Sequence, residues 1–348
     1  MSDATRPPLP HVARDHDDDY DAAGEPTAWR LPLFAALATV ASTFFVGALA
    51  YVDQPAPIAA SAAAWRAGHG LSAVTVLLRW LSAGWSYAVP LLVILLCHEL
   101  GHYTAARWHG LPTSLPIFLP FPLPPLGTLG AVIRLSAPIR GRTALMDVGA
   151  SGPLAGLLAA VPIVYVGLRH SQIRPILAHG SWTEEGTSLL FGALKYLAKG
   201  PIPAGHEVVL HPTAMAGWVA LFVTMLNLLP YGQLDGGHIA QSLLGRKSAQ
   251  LARAVWLGLM VLALAVGAQQ GRLLRALGQD PWQLGVGYTQ GLNWLLFGLM
   301  IGWLHRDREA HPTRIEPLPR SRQALGIVTL GMLALLFMPI PLRAVTAP

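Results

Sequence analysis

Seven apolar stretches, separated by polar or basic segments, dominate this chain of 348 residues. A helix needs roughly 20 consecutive, mostly apolar residues to cross the hydrocarbon core of a bilayer, and these stretches approach or exceed that length. They are residues 30–52, 82–106, 144–168, 212–229, 249–268, 285–304 and 323–341. The sequence therefore predicts an all-α polytopic membrane protein with about six to eight transmembrane helices.

The composition agrees with that fold class, because 53% of the residues are hydrophobic and only 12% are charged. The net charge of +6 alone would be compatible with nucleic-acid binding. However, the basic residues do not form one stripe interleaved with exposed aromatic residues, so we expect no nucleic acid as a partner. Cys97 is the one cysteine in the sequence, which excludes an intramolecular disulfide and a thiolate zinc cluster.

Basic residues favour an orientation, because they fall mainly in alternate loops between the apolar stretches. Those loops and the N-terminus are accordingly predicted to face the cytosol. Four basic residues lie in the intervening loops and oppose this assignment: Arg169, Arg174, Arg272 and Arg275. Residues 1–28 include the acidic run DHDDDYD and are predicted to be a disordered tail. Residues 29–345 are predicted to form a single membrane-embedded domain, with additional spans over 249–341.

Two segments break the helical pattern. Residues 112–141 carry six prolines between positions 112 and 125, followed by glycines and an extended-looking AVIRL, which predicts a loop leading into a strand or hairpin. Residues 225–245, MLNLLPYGQLDGGHIAQSLLG, interrupt a second apolar helix. Non-helical backbone at membrane depth is tolerated only where protein or a water-filled cavity satisfies it. A functional site is therefore expected beside these breaks.

The sequence HELGH at residues 98–102 supplies side chains for such a site. Positions i and i+4 share one face of a helix, so His98 and His102 can both reach one zinc ion, while Glu99 is directed to a water held by the metal. A single buried histidine is more often a packing residue than a ligand. Three ionisable groups on one turn favour a metal, because an unpaired charged glutamate would cost roughly 3 kcal/mol or more at the membrane centre.

A catalytic zinc ion usually has three protein ligands and one open position. Apart from Glu99, the carboxylates at membrane depth are Asp147 and Asp235. Asp147 lies near a membrane edge and is interpreted as a helix-start residue, whereas Asp235 opens a new helix after a glycine-rich break. Asp235 is therefore the better candidate for the third ligand. His238, one turn beyond Asp235, is expected to pack or form hydrogen bonds and not to bind the metal directly.

HELGH together with NLLPYGQLDGG at residues 227–237 resembles the paired signature of the site-2 protease family of intramembrane zinc metalloproteases. The resemblance covers roughly residues 90 to 245 and implies that His98, His102 and Asp235 bind one Zn²⁺ ion. It further implies that Glu99 is the general base and acid, and that Asn227 stabilises the oxyanion or holds the substrate backbone. DVGASGPLAG at 147–156 and PLGTLGAVIR at 125–134 also resemble family features, the second a re-entrant hairpin that pairs with an extended substrate.

The family further implies a catalytic core over about residues 82–245 and a membrane-anchored protein as substrate, for example an anti-sigma factor or a tethered transcription factor. The sequence shows no PDZ-like insert between the two motifs, which places it with the compact branch of the family. The resemblance implies regulated intramembrane proteolysis within the lipid bilayer, which we expect to be a bacterial cytoplasmic membrane. The predicted orientation of the basic loops puts the active site toward the cytosolic side.

Three alternatives remain open at this stage. A transporter could use the broken helix to coordinate an ion, although it would not require a glutamate between two metal-binding histidines. A catalytically inactive scaffold would not require the complete set of Glu99, His98, His102 and Asp235. A zinc protease with a glutamate as third ligand is the nearest enzyme alternative, with Glu184 and Glu185 as its candidates.

Overall fold

The computed structural model describes residues 29–51, 63–133, 139, 141–176, 180–276, 278, 290–304 and 317–347. Its helices of ten or more residues are α1 (Arg30–Tyr51), α2 (Gly70–Ala83), α3 (Trp85–Trp108), α4 (Arg142–His170), α5 (Leu189–Lys199), α6 (Pro212–Asn227), α7 (Asp235–Leu244), α8 (Ser248–Ala276), α9 (Leu292–Leu304) and α10 (Arg320–Leu336). Its strands are β1 (Ile117–Phe121), β2 (Gly127–Val132), β3 (Gln172–Pro175), β4 (Gly180–Glu185), β5 (His206–Val209) and β6 (Leu342–Ala347).

This architecture confirms the prediction of a mainly helical, polytopic membrane protein. Within the described residues, four segments are long and apolar enough to cross a bilayer: Arg30–Ala50, Trp85–Trp108, Arg142–His170 and Asp235–Ala276. Three shorter apolar helices accompany them: Gly70–Ala83, Pro212–Asn227 and Leu292–Trp303. The sequence did not predict α2 and α5, which are too short to appear as apolar stretches of spanning length.

The predicted acidic tail, residues 1–28, and the first part of the predicted stretch 285–304 lie outside the described residues. The predicted single domain over residues 29–345 stays a prediction.

Helix α4 is the centre of the fold, because it packs against α3 on one side and α6 on another. Glycines allow these contacts to be close. A Cβ atom built on Gly101 of α3 would lie 2.5 Å from the carbonyl oxygen of Ser151 on α4. On the other side, a Cβ on Gly167 of α4 would lie 2.3 Å from the backbone nitrogen of Ala214 on α6. Small residues permit such backbone approaches between membrane helices, where lipid provides no hydrophobic driving force.

The proline-rich segment forms a β-hairpin, as predicted. Strands β1 and β2 are antiparallel, with Ile117 opposite Val132 and Phe121 opposite Gly127. The turn of the hairpin is fastened to two helices. The Tyr87 hydroxyl on α3 contacts the carbonyl oxygens of Pro125 and Leu126, the latter at 2.8 Å, and the Ser42 hydroxyl on α1 donates to the Gly127 carbonyl at 2.6 Å. The hairpin therefore has a fixed position against α1 and α3.

Two further strand pairs lie between or after the helices. Strand β3 pairs antiparallel with β5, and both adjoin the facing ends of α4 and α6. Strand β4 pairs antiparallel with β6, so that Glu184 lies opposite Arg343 near the C-terminal end of the chain. Neither pair was predicted from the sequence, because each strand is short and its partner is distant in the chain.

Candidate metal centre

The two histidines of HELGH lie on one face of α3, because they are four residues apart on a regular helix. Their Nε2 atoms are 3.1 Å apart. His98 is buried, and the His102 side chain is 14% exposed. The two imidazoles therefore converge on a common point inside the helical bundle.

A backbone carbonyl fixes the orientation of one of these rings. The Nδ1 atom of His102 lies 2.7 Å from the carbonyl oxygen of Val148 on α4. A carbonyl oxygen can only accept, so Nδ1 carries the proton and Nε2 presents a lone pair toward His98. The same carbonyl also accepts from the Ser151 hydroxyl at 3.0 Å. Helix α4 thus holds His102 in the tautomer that a metal ligand requires.

Asp235 contacts the two histidines from the start of a helix that follows an interruption of the helical backbone. Helix α6 ends at Asn227, residues 228–234 form tight turns, and α7 begins at Asp235. Glycines of the DGG sequence make this geometry possible, because a Cβ on Gly236 would lie 2.0 Å from the Leu228 carbonyl oxygen. The Asp235 carboxylate consequently points into the bundle. Its Oδ2 lies 3.3 Å from His98 Nε2, and its Oδ1 lies 3.3 Å from His102 Nε2.

These distances fit a tetrahedral cation site. Zinc holds imidazole nitrogen and carboxylate oxygen at about 2.0–2.2 Å, so the ligand atoms around one tetrahedral ion lie about 3.3 Å from one another. The Asp235 Oδ2 atom is buried and, despite its distance to His98, makes no hydrogen bond of acceptable geometry. Among the described residues, His98, His102 and Asp235 are the one group of three His, Cys, Asp or Glu side chains whose donor atoms come close enough to hold an ion. The donor set therefore fits zinc.

A glycine face on α4 makes room for the histidine rings. A Cβ on Gly152 would lie 2.0 Å from His102 Nε2, and a Cβ on Gly156 would lie 3.1 Å from His98 Nδ1. One turn earlier, a Cβ on Gly149 would lie 3.1 Å from the Cβ of His238. These glycines were not predicted as part of the site. Their spacing in DVGASGPLAG, which puts them on one helix face, is the signal that could have indicated it.

Glu99 and Asn227 complete the predicted set. Glu99 follows His98 on α3, is 6% exposed, and lies close enough to His102 and Asp235 to interact with them electrostatically. Asn227 is the last residue of α6 and is half-buried at the start of the turns that lead to Asp235. The structure thus brings a buried carboxylate beside the cluster of His98, His102 and Asp235, and it places the Asn227 amide at the edge of the helix break.

Comparison with known protein families matches the segment that contains the two sequence motifs. The family model described as peptidase family M50 matches residues 86–266, which is just over half of the chain and includes both HELGH and the DGG break. The chain belongs to peptidase family M50. This is the site-2 protease family that the two motifs resembled, so the recognition from sequence is confirmed. Within residues 86–266, the described segments between the two M50 motifs form helices and short strand pairs and include no PDZ-like domain.

Several curated proteins are similar to this M50 chain. The probable zinc metalloprotease EGY1, chloroplastic, of Arabidopsis thaliana is 35% identical over 190 residues, which are 50% of this chain and 33% of that protein. The probable zinc metalloprotease EGY2, chloroplastic, of Oryza sativa subsp. indica is 31% identical over 170 residues, covering 47% of this chain and 30% of that protein. The probable zinc metallopeptidase EGY3, chloroplastic, of Arabidopsis thaliana is 29% identical over 257 residues, covering 67% of this chain and 38% of that protein.

The M50 chain spans about a third of the length of the curated relatives it matches. No solved structure gives a significant match to it.

Other candidate residues of the M50 chain lie elsewhere. The sequence predicts Asp147 to be a helix-start residue, but α4 begins at Arg142. The Asp147 carboxylate forms an ion pair with Arg322 and lies 3.0 Å from His109 Nε2. The two glutamates proposed as alternative ligands lie on β4 and have cationic partners. Glu184 pairs with Arg343 at 2.5 Å, and Glu185 pairs with Lys195 at 3.2 Å. Cys97 is a half-buried free cysteine.

Proposed function

We propose that this M50 chain is an intramembrane zinc endopeptidase that hydrolyses peptide bonds in or near the transmembrane segment of membrane-anchored proteins. The observation that carries the proposal is the convergence of His98, His102 and Asp235 at 3.1–3.3 Å from one another, with the buried Glu99 beside them. A transporter would not require this additional carboxylate. The names of the EGY relatives, "probable zinc metalloprotease", support the same activity.

In this proposal, His98, His102 and Asp235 hold one Zn²⁺ ion, which when bound supplies Lewis-acid polarisation of the substrate carbonyl and of the attacking water. Glu99 accepts a proton from that water as its oxygen bonds to the peptide carbonyl carbon. When the carbon–nitrogen bond breaks, Glu99 passes the proton to the leaving nitrogen. Asn227 donates a hydrogen bond to the developing oxyanion or to the substrate backbone.

The substrate has to be locally extended, because the amides of an intact transmembrane helix are all paired within the helix. The β1–β2 hairpin, held against α1 and α3, offers a strand against which an unwound peptide can form backbone hydrogen bonds. The proposed substrates are membrane-anchored regulators such as an anti-sigma factor or a tethered transcription factor. Cleavage would serve regulated intramembrane proteolysis. We place the chain in a bacterial cytoplasmic membrane with its site toward the cytosol, whereas the names of the relatives describe them as chloroplastic.

Metal analysis combined with a cleavage assay tests the proposal. The purified wild-type protein is expected to contain zinc and to cut a panel of single-span membrane proteins, with products identified by mass spectrometry. The isosteric Glu99→Gln variant is expected to keep its zinc and to lose at least about a hundredfold in rate, whereas Asp235→Ala is expected to lose zinc as well. Proteolysis by either variant that resists chelators, or metal flux through vesicles without hydrolysis, would refute the assignment.

A further inference from the structure

Asp147 is the centre of a three-residue polar cluster at the end of the bundle where α3 ends and α4 begins. Its Oδ2 lies 3.0 Å from His109 Nε2, directly after α3. Arg322, in the first turn of α10, donates from Nε to Oδ1 at 3.0 Å and from Nη2 to Oδ2 at 3.1 Å. We call these residues the Asp147 cluster. It joins α3, α4 and α10. The bidentate contact between Arg322 and Asp147 links residues that are 175 positions apart in the chain.

The cluster differs from a fully exposed ion pair in its carboxylate. The Asp147 side chain is 15% exposed, whereas the Arg322 side chain is 43% exposed. Arginine and carboxylate in this paired geometry form charge-assisted hydrogen bonds that fix orientation as well as distance. Exposed single pairs contribute little because solvent screens them and both side chains lose freedom. A largely buried carboxylate held by a bidentate arginine and within hydrogen-bonding distance of His109 Nε2 is therefore expected to hold its three elements in a defined arrangement.

The Asp147 cluster is next to the backbone group that orients His102. Asp147 immediately precedes Val148, whose carbonyl oxygen accepts the hydrogen bond from His102 Nδ1 at 2.7 Å. Helix α10 also packs against α4 and α7. At Gly326 of α10 the approach is close, since a Cβ there would lie 2.5 Å from the Met146 side chain of α4 and 3.1 Å from the Leu243 side chain of α7. Helix α10 thus contacts the helix that orients His102 and the helix that begins with Asp235.

We infer that Arg322, acting through Asp147, is a positioning residue for the metal centre. Helix α10 lies outside the segment matched by the family model. In this inference, the Asp147 cluster connects α10 to α4 and holds α4 in the position at which the Val148 carbonyl orients the His102 ring. The inference rests on the proposed zinc peptidase function.

Zinc release from the full-length holoprotein tests the inference. The rate of zinc transfer to a chelating indicator is expected to be about tenfold faster in Arg322→Ala than in wild type, as for other residues that support metal ligands. The turnover number is expected to fall with little change in KM, since Arg322 is inferred to act on the zinc ligands through α4 and not on substrate binding. Arg320→Ala is the matched control, because Arg320 lies in the same turn and is exposed. That control is expected to release zinc at the wild-type rate.

Two further variants separate positioning from general stability. Arg322→Lys keeps the charge but not the two-point contact, so its zinc release is expected to lie between those of wild type and Arg322→Ala. Combining Asp147→Asn with Arg322→Ala is expected to add nothing to the larger single effect, because both changes remove the same interaction. Wild-type zinc release by folded Arg322→Lys and by Asp147→Asn would overturn the inference while leaving the peptidase proposal intact. A wild-type protein without zinc or cleavage would instead refute the proposed function.

Discussion

The substitution Gly152→Ala tests whether zinc binding requires the space that the glycines of α4 leave for the histidine rings. The added Cβ would lie 2.0 Å from His102 Nε2 and 2.4 Å from Cε1 of the same ring. Ordinary contacts begin at 3.4 Å, so the ring would have to retreat by about 1.4 Å, which is the difference between 3.4 Å and 2.0 Å. A movement of this size would have to be made against the contact of 2.7 Å between His102 Nδ1 and the Val148 carbonyl oxygen.

Overpacking of this kind costs typically about 1–3 kcal/mol, which corresponds to roughly a 5- to 150-fold loss in a binding constant. Here the displaced atom is a proposed zinc ligand, and metal–ligand distances tolerate only about 0.2 Å of error. We therefore expect Gly152→Ala to lose zinc affinity within or above that range. Gly156→Ala, whose Cβ would lie 3.1 Å from His98 Nδ1, is expected to show a smaller loss because the neighbour has to give by only a few tenths of an ångström.

Zinc content after dialysis against a graded series of free-zinc buffers, measured by elemental analysis, provides the assay. Gly258→Ala is the matched control, since it is also a glycine inside a membrane helix but a Cβ there would meet no atom within 4 Å. Each variant has to elute as the wild type does in detergent and keep its thermal unfolding midpoint. If folded Gly152→Ala bound zinc as tightly as Gly258→Ala, the close fit between α4 and the histidine would have no functional meaning.

Two other regions give independent predictions. Tyr87→Phe removes the hydroxyl that holds the hairpin turn to α3, so it is expected to cost about 1–3 kcal/mol of stability and to speed hydrogen exchange in residues 117–132 while exchange in α4 stays unchanged. The Nδ1 of His211 caps α6 by accepting from the Thr213 backbone N–H, and burial together with the neighbouring His170 lowers the pKa of His211. The unfolded chain therefore takes up this proton first, and stability is expected to fall as the pH drops below 6.5. His211→Asn, which can still cap the helix, should show a smaller fall in its unfolding midpoint between about pH 8 and pH 5; an unchanged fall would exclude His211 as the titrating group.

Local periodicity is sufficient to predict part of this protein. The apolar stretches define the long helices, and the i, i+4 spacing puts His98 and His102 on one face of α3. The proline-rich segment predicts the hairpin, because such a segment cannot continue a helix. Asp235 is predicted as the third ligand because, among the few carboxylates at membrane depth, it opens a new helix after a glycine-rich break. These inferences need only the composition and the local pattern of the sequence.

Contacts between distant residues have no such local signature. The pairing of β4 with β6 and the contact of Arg322 with Asp147 join residues more than 150 positions apart, at separations of 159 and 175. The role of Asp147 was misjudged for this reason, since its neighbours indicate a helix start while its partners come from α3 and α10. Likewise, the requirement for glycine at position 152 becomes evident only when the His102 ring is seen against it.

Charge balance favours a divalent cation among the buried carboxylates and imidazoles of this site. Two carboxylates, Glu99 and Asp235, lie among apolar helices together with two imidazoles whose Nε2 atoms face each other at 3.1 Å. Without a metal ion or protons on these groups, lone pairs and negative charges would converge in a medium that solvates them poorly. A bound Zn²⁺ would offset these charges, because its charge equals the sum of the two carboxylate charges in magnitude. The site would then be electrically neutral, which favours the burial of several ionisable groups at membrane depth. Zinc binding and the stability of this part of the bundle should therefore be coupled, because the same ion that would activate water also makes the burial of its ligands favourable.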